Sequence, residues 1–317
     1  MLSPAVKGIP GIPARVYVPN GLDSSVSVID PKTFKVLSTF RVDPEPQHVV
    51  ASHDLKTLYV ASDKGRQSLT PIDPRTGKPS QPIPTPDPYN LYFTPDGKYA
   101  MVVAENQARL NFLAVKTMTT AFSIAVPCRG LNHMDFSPDR KQVLAACEFS
   151  GDLLKIDLPS RTVTGKLNVG GMPQDVRIAP DGKVYYVADM MANGLHVIDG
   201  SGPVPRKMGF IATGKGAHGL YPSRDATRLF ISNRDEGSVS VLNFAARKLV
   251  AKYNKIIFLR NGKTKPPDYD QCRRRSPTPS AGTWSRGSSK STPAGESAAP
   301  PPRGLDCLSA RHPFRPD

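Results

Sequence analysis

A motif that returns about every forty-two residues constrains this chain more than any other feature. Turn aspartates at Asp54, Asp96, Asp139, Asp181 and Asp225 follow one another at spacings of 42, 43, 42 and 44 residues. After each turn comes a β-rich run: Leu58-Tyr-Val-Ala61, Met101-Val-Val-Ala104, Val143-Leu-Ala-Ala146, Tyr185-Tyr-Val-Ala188 and Leu229-Phe-Ile-Ser232. An alternating strand follows in Val26-Ser-Val-Ile-Asp30, Leu69-Thr-Pro-Ile-Asp73, Leu153-Leu-Lys-Ile-Asp157, Leu195-His-Val-Ile-Asp199 and Val239-Ser-Val-Leu-Asn243. Gly171 to Asp199 shows one unit whole, and the strand at Lys207 to Ala212 completes it as a four-stranded antiparallel meander. Pro180-Asp181-Gly182 makes its tight turn, because Pro presets φ and Gly accepts positive φ. The aspartates that end the third strands, Asp30 and Asp73, are placed to cap their own turns. Units of about forty residues with four strands each bury their faces only by stacking on neighbours, so the fold class is all-β, a β-propeller.

These residues resemble the YVTN-repeat β-propeller family, whose pattern is carried by Ala217-His-Gly-Leu220, Thr94-Pro-Asp-Gly-Lys98, Arg15-Val-Tyr-Val-Pro-Asn20 and Val26-Ser-Val-Ile-Asp30. The resemblance spans Ala14 to about Tyr253. It implies a ring of seven blades in a bacterial or archaeal protein, often secreted or displayed at the surface. It implies no single activity, since a propeller fold hosts many. Blade one begins at Arg15 with what is the second strand elsewhere, so a closing inner strand is expected from the C-terminus. Six of the seven blades are expected, wholly or partly, within residues 14–254.

From Lys255 the repeat stops, and residues 255–317 form a basic segment rich in Pro, Ser and Arg, the composition of disorder. Of the formal net charge of +15, +8 lies from Ala251 onward. The excess is therefore concentrated in that segment, and the propeller itself gives little reason to expect nucleic acid. Shifting degenerate codons by one nucleotide lets Pro267 to Arg275 encode Pro-Thr-Met-Ile-Ser-Val-Ala-Asp, and Leu305 to Ala310 encode Leu-Thr-Val-Phe-Pro, in the right order for the missing blade and closing strand. The segment thus reads as a frameshift product, with a native disordered tail as the alternative. No run of apolar residues is long enough to span a membrane as a helix, and Met1 to Pro13 lacks the apolar core of a signal peptide. The compartment is open on this reading, extracytoplasmic by resemblance. A complete ring is expected to be monomeric.

Aligning the repeats on the turn aspartate brings His48, Asn90, His133, Asp175 and Gly219 to one place, with Gln47, Tyr89, Asn132, Gln174 and His218 just before it. Both are expected in loops at one mouth of the central channel. The loop after the second strand should open at the same end and contributes Asn20, Asp63, Glu105, Glu148, Asp189, Asn233 and Arg234. The candidate ligand-binding residues are accordingly His48, Asn90, His133, Asp175, His218, Glu105, Glu148 and Asp189, for an unspecified small molecule or protein. Repeat-wide satisfaction of backbone groups is the structural alternative. His48, His133 and His218 alternate between blades but form no metal-ligand spacing, and neither a metal nor another cofactor is expected. Cys128 and Cys147 fall in one blade near His133 and Glu148, as a disulfide, as two buried thiols or as part of a metal site. Gly214-Lys-Gly-Ala-His-Gly219 fits a dinucleotide fingerprint in letters, but it leads into a strand where a phosphate site needs a helix. The chain reads as a non-catalytic binding or scaffold propeller. A propeller enzyme using the same mouth, either a metal-assisted oxidoreductase or a lactonase-type hydrolase, is the alternative.

Overall fold

The computed structural model describes residues 11–254 and two short strands beyond them, Leu259–Arg260 and Lys263–Thr264. Each blade is an antiparallel meander in which consecutive strands pair. Blade one has three strands: β1 (Val16–Asn20), β2 (Ser25–Ile29) and β3 (Val36–Arg41). Blade two holds β4 (Pro46–Ala51), β5 (Leu58–Ser62), β6 (Ser68–Ile72) and β7 (Ile83–Pro84). Blade three holds β8 (Pro88–Phe93), β9 (Tyr99–Ala104), β10 (Arg109–Ala114) and β11 (Thr119–Ala125). Blade four holds β12 (Leu131–Phe136), β13 (Gln142–Cys147), β14 (Asp152–Asp157) and β15 (Thr162–Asn168). Blade five holds β16 (Pro173–Ile178), β17 (Tyr185–Asp189), β18 (Gly194–Asp199) and β19 (Arg206–Ala212). Blade six holds β20 (Ala217–Pro222), β21 (Arg228–Asn233), β22 (Ser238–Asn243) and β23 (Lys248–Tyr253). The first strands pack in succession, β4 on β8, β8 on β12, β12 on β16 and β16 on β20, and so line the channel.

The core lies between blades. In β13, Val143, Ala145 and Cys147 face blade three, where they join Met101, Leu110 and Phe112, while Leu144 and Ala146 face blade five with Val176 and Val187. The same alternation splits β17, with Tyr185 and Val187 on one side and Tyr186 and Ala188 on the other. Side chains in a strand alternate faces, so a strand buried on both faces reads as a continuous apolar run. That is why the second strands gave the strongest repeat in the sequence. Each fully buried Leu or Val contributes about 1.5–3 kcal/mol of hydrophobic stabilisation.

At the two end blades the pattern is one-sided. Tyr17 of β1 packs inward on blade two, but Val16 and Val18 are 45% and 36% exposed. In β21, Leu229 and Ile231 are buried against blade five, while Phe230 on the opposite face lines an open cleft of about 270 Å³ with Tyr221 and Val239. Among the described residues no strands form a seventh blade, and blade one has no inner strand. The expected closing strand and the basic segment from residue 265 lie outside the described residues.

Every repeat turn is held by its aspartate. Asp54, Asp96, Asp139 and Asp225 each accept a hydroxyl hydrogen from Ser52, Thr94, Ser137 and Ser223, at 2.5–2.7 Å. Each also accepts a backbone N–H two residues on, as Asp181 does from Lys183. These bonds favour the charged form, and all five carboxyls lie below their usual range. The next residue takes positive φ, which Gly97 and Gly182 adopt freely. Leu55, Arg140 and Ala226 adopt it at φ of 60°, 58° and 56° against the Cβ clash.

Candidate functional site

The polar pairs of the repeat are not in loops, as the sequence alignment had placed them. They lie inside the first strands, each at a break in register: between Pro46 and His48, Pro88 and Asn90, Leu131 and Met134, Pro173 and Val176, and Ala217 and Leu220. A bulge adds a residue to one strand and re-aims its side chains. So Tyr89 and Asn90, Asn132 and His133, and Gln174 and Asp175 are all buried, although they are neighbours in sequence.

A ring of aromatic and imidazole groups results. His48 meets His133 at 4.9 Å between ring centroids and Tyr89 at 5.3 Å, and Tyr89 meets His133 at 5.8 Å, all near right angles. Leu91 N–H donates to Asn90 Oδ1, which turns the Asn90 amide nitrogen toward His133 Nδ1 at 3.1 Å. Neutral His133 therefore accepts at Nδ1 and carries its proton on Nε2. Nε2 of His133 and Nε2 of His48 are both buried without a partner. Burial pushes His48 down to about 3, helped by His133. It pushes His218 down to about 4, helped by Arg234. His133 is lowered by the same cause, so all three are neutral at pH 7.

Asp175, a predicted site residue, is in the channel wall but fully occupied. Its Oδ1 accepts from Val176 N–H and from Arg177 Nη1, each at 2.9 Å, and its Oδ2 accepts from Leu220 N–H of blade six at 2.9 Å. Asp135 reaches Ile178 N–H of blade five in the same way, and Tyr92 Oη accepts from Met134 N–H of blade four. These side chains tie the inner strands of blades three to six in succession. Arg177, Asp135, Tyr92 and Tyr89 were not among the predicted site residues. For Tyr89 the signal was two successive polar or aromatic residues, Tyr89-Asn90, interrupting a strand's alternation.

Beyond the second strands come the carboxylates. Asp63, Glu105 and Glu148 each directly follow the last residue of β5, β9 and β13. Asp63 accepts from Gln47 Nε2 at 3.2 Å. Glu105 is only 8% exposed; burial, followed by Glu148, Asp63 and Asp87, pushes it up to about 8. Asp63 and Glu148 are also raised, mainly by burial. Asp189 does not belong with them. It is the last residue of β17 itself, paired opposite Pro173, so its side chain points the other way. It holds His196 Nε2 at 3.0 Å and accepts from Met172 and Ala192 N–H, and these bonds outweigh burial to lower it. Asn20 and Asn233 play the same part toward Ser25 and Ser27, and toward Ser238 and Ser240.

Cys128 and Cys147 are joined as a disulfide with Cα atoms 6.1 Å apart, bracing the loop before β12 to the end of β13 beside Glu148. Gly214 to Ala217 leads directly into β20, and the loop is held by Glu236 accepting from Lys215 N–H at 2.8 Å. Among the described residues, no three His, Cys, Asp or Glu side chains are close enough together to hold a metal ion.

Comparison with known proteins agrees with this architecture. Kuenenia stuttgartiensis hydrazine synthase superposes with a TM-score of 0.67 at 19% identity, over 77% of this chain and 84% of that one. A functionally unknown protein from Desulfotomaculum acetoxidans DSM 771 superposes with a TM-score of 0.63 at 14% identity, over 78% and 84%. At such identities the likeness is one of fold. No curated protein matches by sequence. The model of the YNCE-like β-propeller family, a YVTN-type family, matches residues 10–256, and the chain belongs to that family.

Proposed function

We propose that this propeller is a binding protein that takes a small ligand, or the tip of a partner protein, at the channel mouth formed by blades two to six. One observation carries the reading: polar groups from several blades converge there, and the Nε2 atoms of His48 and His133 are buried with no partner. Leaving a buried donor or acceptor unmet costs about 1–3 kcal/mol, a cost that a ligand group accepting or donating there would remove. Gln174 Nε2, from the same ring of inner-strand residues, is likewise buried without a partner, whereas Asp175 and Asp189 are already satisfied. Glu105, titrating near neutrality, supports a second reading as a propeller enzyme with a general acid or base. The disulfide supports an oxidising, extracytoplasmic compartment.

The test is a thermal-shift screen of small molecules against the protein and a His48→Gln/His133→Gln variant of matching fold by circular dichroism. Ligands that stabilise the parent and not the variant are expected. Ligands that stabilise both equally would move the site elsewhere, and turnover of any ligand found would favour the enzyme. Cys128 and Cys147 should resist alkylation in protein taken from its native compartment until a reductant is added.

A further inference from the structure

We propose that the channel mouth binds the ammonium group of an organic cation, held by the carboxyls of Asp63, Glu105 and Glu148 beside the ring of Tyr89. This rests on the reading of the channel as a binding site and names its ligand class. The three acids occupy the same repeat position in blades two, three and four, one residue past the last strand pair. They are therefore brought together by the ring and not by local sequence. The equivalent places in blades five and six hold Met190 and Arg234. The acidic arc is one-sided.

Two groups in this arc are buried and unpartnered. Glu105 and Tyr89 are each only 8% exposed, and among the described residues nothing hydrogen-bonds to the Glu105 carboxyl or to the Tyr89 hydroxyl. Tyr89 has Glu105 and Glu148 as its foremost charged neighbours, and its ring is fixed by edge contacts with His48 and His133. The charged or titratable groups that act most strongly on Glu105 are Glu148 after β13, Asp63 and Lys64 after β5, and Asp87 before β8; Tyr89 on β8 lies beside it, and Arg234 after β21 faces Glu148. Lys64 and Arg234 are the positive groups, set against four carboxyls. Asp87 is already engaged by Asn106 Nδ2 and Gln107 N–H, each at 2.8 Å.

The acids are too far apart for a metal ion, which needs three ligands at little more than 2 Å. An ammonium group is larger, spreads its charge over several N–H or C–H contacts at about 3 Å or more, and gains from an aromatic ring within about 6 Å. Carboxyls beside a fixed tyrosine suit that ligand. Without it, the arc relieves its repulsion by holding a proton on Glu105. With it, that proton is released, so affinity should rise from pH 6 to about 8 and then level off.

The experiment is calorimetric titration of the purified protein with n-butylammonium and tetramethylammonium chloride at fixed ionic strength, in two buffers of different ionisation enthalpy. Saturable binding of at least one probe is expected, with fractional proton release at pH 7 and at least a tenfold loss in Glu105→Gln. That variant replaces a buried carboxyl that is already mostly protonated without ligand and should melt no lower than the parent, and Glu148→Gln serves as an independent second variant. The proposal is overturned if neither probe saturates, if both variants bind as the parent does, or if calcium chloride binds the arc in their place. Should the thermal-shift screen yield neutral or anionic ligands lost with the two histidines while the ammonium probes do nothing, the ammonium proposal fails and the channel reading stands. If nothing binds in either experiment, both fall.

Discussion

The second strands run between two sets of acids that behave in opposite ways. At their start, Asp96 and Asp139 sit in turns whose hydroxyl and N–H groups hold them below the usual carboxylate range. At their end, nine residues on, Glu105 and Glu148 are raised, Glu105 to about 8. Sequence distance and strand type are the same, so the difference lies in the partners. The turn acids meet donors supplied by their own backbone, and every repeat supplies them again. The mouth acids meet burial and each other, and the amides and the two cations beside them, Lys64 and Arg234, do not offset this. The turn end is thus satisfied by its own unit, whereas the mouth end carries more negative than positive charge.

Removing the covalent brace at the mouth should have the largest effect. Cys128→Ser/Cys147→Ser opens a loop of sequence separation 19 and should cost roughly 3 kcal/mol by chemical denaturation. A loss of a few tenths would mean that packing alone fixes the mouth.

The pH profile comes next, and the two ends give it opposite slopes. Native His48 and His218 titrate at about 3 and about 4, so below pH 6.5 the unfolded chain takes up protons that the native state refuses, and stability falls with falling pH. Native Glu105 holds its proton to about pH 8, while the unfolded chain loses it near 4.5, so its contribution falls as pH rises through that window. Two or more histidines outweigh the raised carboxyls below pH 6.5, and above it Glu105 leads, with Asp63 and Glu148 raised in the same direction. Melting temperature should therefore peak near pH 6.5. In Glu105→Gln the decline from pH 6.5 to 8 should shrink. A profile rising steadily to pH 8 would show that the mouth acids are not buried together.

Smaller effects separate the ends further. Asp96→Ala loses the bonds from Thr94 and Lys98 and should cost about 1 kcal/mol, since the site is half exposed and screened. Glu105→Gln should cost nothing by the same measurement. Arg140→Gly, which relieves a positive φ of 58°, should stabilise by about 0.5–1 kcal/mol in thermal unfolding. If Arg140→Gly destabilises, the turn is less regular than its hydrogen bonds indicate.

The turns and second strands were legible because each physical requirement is local and stated five times. Asp-plus-two N–H bonding and two-sided burial both leave a mark at fixed spacing. The channel was less legible. Gln47-His48, Asn132-His133 and Gln174-Asp175 were aligned correctly, yet they looked like loop residues because a bulge resembles a loss of strand alternation. Asp189 was grouped with Glu105 because both are acids after a second strand. Counting from the turn would have separated them: Asp63, Glu105, Glu148 and Arg234 stand nine residues after their turn aspartates, and Asp189 eight. One residue reverses the face of a strand. Asp135, which ties blade four to blade five, has no marker in a single repeat, since its partner lies in the next one.

The contrast between the two ends is tested most directly by measuring individual carboxyl pKa values by carbon-13 NMR, with Asp96→Asn and Glu105→Gln used to assign the signals. Asp96 should titrate below 3.8 and Glu105 near 8 in the same sample. A Glu105 that titrates in the ordinary range near 4.5 would contradict the picture of a buried, uncompensated acidic mouth.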